Sequence, residues 1–69
     1  LLLQEGYREE AVIERESAEG GMLFLYPYSL YDRYHKRVDR IFHAEYCMKD
    51  EHGEWEEYKS FWTRSELPL

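Results

Sequence analysis

Arg37-Val38-Asp39-Arg40-Ile41-Phe42-His43-Ala44-Glu45-Tyr46-Cys47-Met48-Lys49 is the stretch whose secondary structure sets the fold class. Its second half alternates. Phe42, Ala44, Tyr46 and Met48 take one side, and His43, Glu45, Cys47 and Lys49 take the other. A period of two is the mark of a half-buried strand. A helical pattern competes with it. Leu30, Tyr34, Val38, Ile41 and Phe42 form a stripe at helical spacing. Ser29 with Asp32 makes a capping signal, and Asp32 with Lys36 and Glu45 with Lys49 are i, i+4 pairs in the favourable order. We read a loop or short turn over residues 29–36 and a strand over residues 37–49. Asp50-Glu51-His52-Gly53 follows as a turn, with glycine where positive φ is commonly required.

Upstream, Met22-Leu23-Phe24-Leu25-Tyr26-Pro27-Tyr28 reads as a strand buried on both faces. Pro27 cannot donate to a ladder, so it marks an edge or the strand's end. Residues 4–19 read as a helix, because Glu, Arg, Ala and Gln are good helix formers. Gly20-Gly21 is its stop signal. Tyr7, Ala11 and Ala18 fall on one helical face and Glu9, Glu10, Glu14 and Glu16 on the other. Arg15 and Glu19 are spaced to pair, whereas Glu10 and Glu14 repel at the same spacing. Such a helix is weak alone and needs docking. Residues 54–66 are two-sided. Trp55, Tyr58 and Trp62 have helical spacing, yet Tyr58, Ser60 and Trp62 alternate as in a strand. The expected fold is therefore α+β, with one N-terminal helix packed on a small antiparallel sheet of about three strands. The alternative is all-α, with three helices around residues 22–28.

With 69 residues the chain is one small domain at most, residues 1–69. A chain starting on Leu1-Leu2-Leu3 without methionine is compatible with a piece of a larger protein. A domain of this size buries only about 60% of the surface its unfolded chain exposes, so it needs help to be stable. A single cysteine, Cys47, excludes an internal disulfide and fits a reducing, cytoplasmic setting. Two Trp, seven Tyr and three Phe supply much burial area for so short a chain. Rings with polar tips also suit half-wet interfaces, which points to self-association or another protein partner. The net charge of −6 disfavours a phosphate backbone as partner, so nucleic acid is not expected. No stretch approaches the roughly 18–20 apolar residues of a membrane helix, and no membrane partner is expected.

Three groups of residues are chemically suggestive. Tyr31, Arg33, Tyr34, Lys36, Arg37 and Arg40 place local positive charge beside tyrosines, the best candidate for a binding site. His43, Cys47 and His52, with Asp50 near, are zinc-type donors, but on a strand His43 and Cys47 stand too far apart to share an ion. Glu16 and Glu19, spaced i, i+3 on the expected helix, are hard oxygen donors of the kind magnesium takes.

The order of elements resembles the second half of a Nudix domain. The resemblance is carried by Glu9-Glu10-Ala11-Val12-Ile13-Glu14-Arg15-Glu16-Ser17-Ala18-Glu19-Gly20-Gly21, by Arg37-Val38-Asp39-Arg40-Ile41-Phe42-His43-Ala44, and by Trp62-Thr63-Arg64-Ser65-Glu66-Leu67-Pro68. It implies an acidic helix holding magnesium through Glu16 and Glu19, oriented by Arg15, for pyrophosphate hydrolysis. The family's box departs here at Ser17, Gly20 and Met22, and its earlier glycine and glutamate are absent. The reading drawn from these residues is a small acidic, non-catalytic interaction module that self-associates through an aromatic face, with no cofactor. The alternative is a Nudix-like pyrophosphohydrolase fragment acting on nucleoside diphosphate derivatives with magnesium.

Overall fold

The computed structural model describes residues 3–66. Five strands follow one another: β1 (Arg8–Glu9), β2 (Ile13–Glu16), β3 (Met22–Tyr31), β4 (Arg37–Lys49) and β5 (Trp55–Thr63). All pairings are antiparallel. β1 and β2 lie end to end along one side of β3, β4 lies along its other side, and β5 closes the sheet beyond β4. The described residues form a single sheet, four strands wide, with extents of 49 × 21 × 17 Å.

This corrects the expected α+β class and its all-α alternative, since no helix occurs among the described residues. Residues 4–19 carry helix-forming side chains, but an isolated helix of that length is marginal in water. Pairing with β3 offers more. It places Ile13 opposite Leu25 and satisfies the free polar edge of a strand that is otherwise open on one side. β2 then alternates Ile13 and Arg15 with Glu14 and Glu16, a strand pattern hidden inside an apparently helical composition. The helical stripe through Leu30, Tyr34 and Val38 is not realised either, and Ser29 lies within β3. Leu67 and Pro68, which close the Nudix-like pattern, lie outside the described residues.

Pro27 sits in the interior strand β3, not at an edge. The local pairing explains why it is tolerated. Its carbonyl accepts the Glu10 amide at 2.9 Å, so its ladder groups face the β1/β2 side. There three residues, Glu10, Ala11 and Val12, lie opposite two, Tyr26 and Pro27. The missing proline N–H falls at this bulge, where the edge ladder breaks into β1 and β2.

The three hairpin turns share one geometry. The amides of Ser17, Asp32 and Asp50 each donate to the carbonyl four residues on: Gly21, Lys36 and Glu54. The fourth residue of each turn has positive φ: Gly20 at 86°, His35 at 63° and Gly53 at 78°. At the first position a side-chain oxygen accepts turn amides. Ser17 Oγ takes Glu19, Asp32 Oδ1 takes Tyr34 and Lys36, and Asp50 Oδ1 takes His52 and Glu54. This is the three-residue hairpin loop with a left-handed closing residue. Gly20 is thus a hairpin residue rather than a helix stop. Asp32 serves the backbone of its turn and not an ion pair with Lys36.

Alternation gives the sheet two different faces. The core face buries Leu23, Leu25, Phe42 and Ala44, with Ile13, Tyr46 and Phe61 packed around them. Leu25 and Ala44 are wholly enclosed although no second layer exists among the described residues. Long amphipathic side chains take that layer's place. The Arg40 guanidinium lies 4.8 Å from the Phe42 ring centre and the Lys59 ammonium 5.2 Å from that of Phe61. Arg15 on β2 reaches Glu66, beyond the end of β5, at 3.6 Å. The Tyr46 ring covers Gly21, and its hydroxyl donates to Ser17 Oγ at 3.1 Å. Opposite these, the second face is aromatic and half-exposed.

Candidate functional site: the aromatic face

β3 alternates Met22, Phe24, Tyr26 and Tyr28 with the buried Leu23, Leu25, Pro27 and Ser29. The first set forms the middle of the second face. Register brings in the rest: Tyr26 is opposite His43, and His43 is opposite Trp62. The three form a row across the sheet, at right angles to the strands. His43 lies 6.4 Å from Tyr26 and 4.9 Å from Trp62, and Trp62 lies 5.7 Å from Tyr28. Farther along, Phe24 and Trp55 meet edge to face at 6.5 Å. These rings are half-buried or exposed, and among the described residues no element is packed over them.

Carboxylates border one end of this face. Glu14 is opposite Phe24, and Phe24 is opposite Glu45; Cys47 is opposite both Met22 and Glu57. Burial, then the neighbouring Glu45 carboxylate, pushes the Tyr26 phenol above 10.0. Burial, then Glu45 and Glu57, pushes the Cys47 thiol above 9.0, so it is a poor nucleophile at neutral pH. At the other end Tyr7 donates to Asp39, whose second oxygen lies 3.4 Å from Arg64. Those contacts, Tyr7 foremost, hold the Asp39 carboxyl below its usual value.

The tyrosine-arginine cluster expected as a binding site is divided by the fold. Tyr31 faces the core side, where its hydroxyl donates to Glu10 at 2.9 Å and Arg8 stacks 5.5 Å from its ring centre. The buried Ser29 hydroxyl donates to the other Glu10 oxygen. Ser29, then Tyr31, hold the Glu10 carboxyl below its usual value, assisted by Arg40 and Arg37 through space. Arg40 is committed to covering Phe42. Only Arg33, Tyr34, Lys36 and Arg37 remain exposed together, at the tip of the β3–β4 hairpin, where Arg33 stacks on Tyr34.

The expected magnesium ligands lose their common scaffold. Glu16 ends β2, opposite Met22, whereas Glu19 sits in the turn after it. The helix that would have aimed both at one ion is replaced by strand and hairpin, and Arg15, their expected partner, pairs with Glu66. Among the described residues no three His, Cys, Asp or Glu side chains are grouped to hold a metal. His43 and Cys47 share a face of β4 but stand about 13 Å apart by strand rise. Two shallow grooves flank the β2–β3 turn. One of about 290 Å³ includes Glu16, Met22, Lys49 and Trp55, and one of about 380 Å³ includes Ser17, Glu19, Tyr46 and Tyr58. Their walls combine turn backbone, charged side chains and the rings of Trp55 in the first and Tyr46 and Tyr58 in the second.

Neither a family model, nor a curated protein, nor a solved structure matches the chain. Among the described residues no helix is long and apolar enough to cross a membrane.

Proposed function

We propose that the chain is a non-catalytic interaction module that associates with a second copy of itself through the aromatic face. One observation carries this reading: a continuous row of rings, Tyr26, His43 and Trp62 with Tyr28 against them, lies half-exposed across a sheet. Sheets ordinarily bury such a face against another layer. The sheet edges favour face-on contact over strand addition. One edge is broken by the bulge between β1 and β2. The other has a bulge where Tyr58 and Lys59 meet Tyr46, and it carries Glu56, Glu57 and Lys59. Bulges and edge charges of this kind deter further strand pairing. Sheet-on-sheet packing at about 10 Å spacing accommodates such rings. The free thiol of Cys47 fits a reducing compartment, and we place the module in the cytoplasm.

The test is sedimentation equilibrium over a wide concentration range. Phe24→Thr with Tyr28→Thr keeps strand-forming residues but removes two rings of the face. The parent should dimerise and the variant should not. A parent that stays monomeric throughout, or a variant that dimerises equally well, would refute the proposal. Magnesium-dependent phosphate release from a nucleoside diphosphate derivative, abolished by Glu16→Gln with Glu19→Gln, would replace it with the hydrolase reading.

A further inference from the structure

We infer that the two copies pair antiparallel, each basic hairpin tip lying against the acidic end of its mate. This rests on the proposed self-association and fixes its geometry. The charges are segregated along the 49 Å axis. At one end the β3–β4 hairpin exposes Arg33, Lys36 and Arg37, against Asp32, whose Oδ1 is occupied by turn amides. At the opposite end the β2–β3 and β4–β5 hairpins and the start of β5 expose Glu19, Glu51, Glu54, Glu56 and Glu57, against Lys49, whose ammonium lies over the Trp55 ring. Among the described residues, no carboxylate lies within ion-pair distance of Arg33, Lys36 or Arg37. The two ends cannot meet within one chain, because the length of the sheet separates them.

The aromatic row lies midway between these ends. Asp32 is six residues on from Tyr26, and Asp50 is seven residues on from His43. At about 3.3 Å per residue each end is therefore roughly 20 Å from the row. A two-fold axis along Tyr26, His43 and Trp62 turns the aromatic face onto itself and reverses the long axis. It carries the Arg33–Lys36 tip of one copy over the Glu51–Glu54 turn of the other, twice. A parallel pairing would instead place like charges together at both ends. Stacking the aromatic face on the core face of another copy would not close, and would build open chains. The antiparallel arrangement alone satisfies charge complementarity and closure together.

Two reversal variants test this: Arg33→Glu with Lys36→Glu at the tip, and Glu51→Lys with Glu54→Lys at the other end. All four side chains are exposed and outside the core. Sedimentation equilibrium at low salt should find each variant's dimer weakened roughly tenfold or more, as two facing charge clusters become repulsive twice over. The second variant carries less net charge than the parent, so relief of general repulsion alone would strengthen its dimer; weakening requires a specific contact. An equimolar mixture, with one variant fluorescently labelled, should restore association, because acidic tips then meet basic ends and basic tips meet acidic ends. If the parent dimerises but neither variant weakens, or the mixture fails to recover, the antiparallel pairing is wrong and self-association stands. If the parent is monomeric at every concentration, self-association falls and the pairing with it. Circular dichroism of each variant checks that the sheet is intact.

Discussion

Adding one methyl group at Gly21 gives a direct test of how the core face is covered. A Cβ there would lie 2.6 Å from Tyr46 Oη, 2.8 Å from Tyr46 Cζ and 2.8 Å from Met48 Sδ. The Met48 thioether is flexible and can swing aside. Tyr46 is held at both ends, by its bond to Ser17 Oγ at 3.1 Å and its edge contact with Tyr58 at 6.1 Å. In Gly21→Ala the ring must retreat by roughly an ångström to restore ordinary contact, and it loses both partners. The hydrogen bond is worth about 1 kcal/mol and the ring pair about 0.5–1.5 kcal/mol. The smaller entropy of the unfolded alanine chain returns about 0.4–1 kcal/mol. The net cost is about 1 kcal/mol from these terms, rising toward 2 with residual overpacking. Urea denaturation followed by circular dichroism, at one fixed protein concentration, reads this directly. With an m value near 1 kcal/mol/M, the midpoint should fall by about 1–2 M. The control is the same substitution in a Tyr46→Leu background, where the obstructing ring is gone and alanine should be neutral or slightly stabilising. An equal cost in both backgrounds, or a more stable Gly21→Ala single variant, would refute this account of how Gly21 is covered.

Other expectations follow from the turns and the titrating groups. His35 is the one left-handed turn residue that is not glycine among the three hairpins, so His35→Gly should stabilise the fold by roughly 0.5–1 kcal/mol, read as a raised urea midpoint. The Glu10 and Asp39 carboxyls are held below their ordinary values of 4.5 and 3.8. Their contribution to stability is therefore complete above those values and is lost as pH falls through the lower folded ones. Acid unfolding of the parent should be steeper below about pH 4.5 than that of Glu10→Gln with Asp39→Asn, and superimposable titrations would contradict the assignment. Cys47 should react with a disulfide reagent more slowly in the folded protein than in urea, because burial and the neighbouring glutamates disfavour its thiolate.

The local patterns that point correctly are those with a period of two. Phe42, Ala44, Tyr46 and Met48 alternate with polar neighbours, and β4 covers Arg37–Lys49. β3 is legible too, although it runs on to Tyr31, three residues beyond its apolar run, since Ser29 and Tyr31 are bound by the Glu10 carboxylate. The turns are also written locally, since Ser17, Asp32 and Asp50 stand three residues before Gly20, His35 and Gly53. Local composition misleads at residues 4–19, where it favours a helix. There the outcome is set by a partner far along the chain, the unpaired edge of β3.

Charge, size, aromatic content and the course of β3 and β4 are properties of local sequence and follow from it alone. The faces of the sheet do not. Tyr31, Arg33 and Arg40 are near neighbours along the chain, but strand alternation and a turn send them to a carboxylate, a solvent-exposed tip and a phenylalanine ring. Tyr26, His43 and Trp62 are far apart along the chain and adjacent in space. Their row exists only because antiparallel register brings three strands together, and register depends on turn length and pairing across the whole sheet.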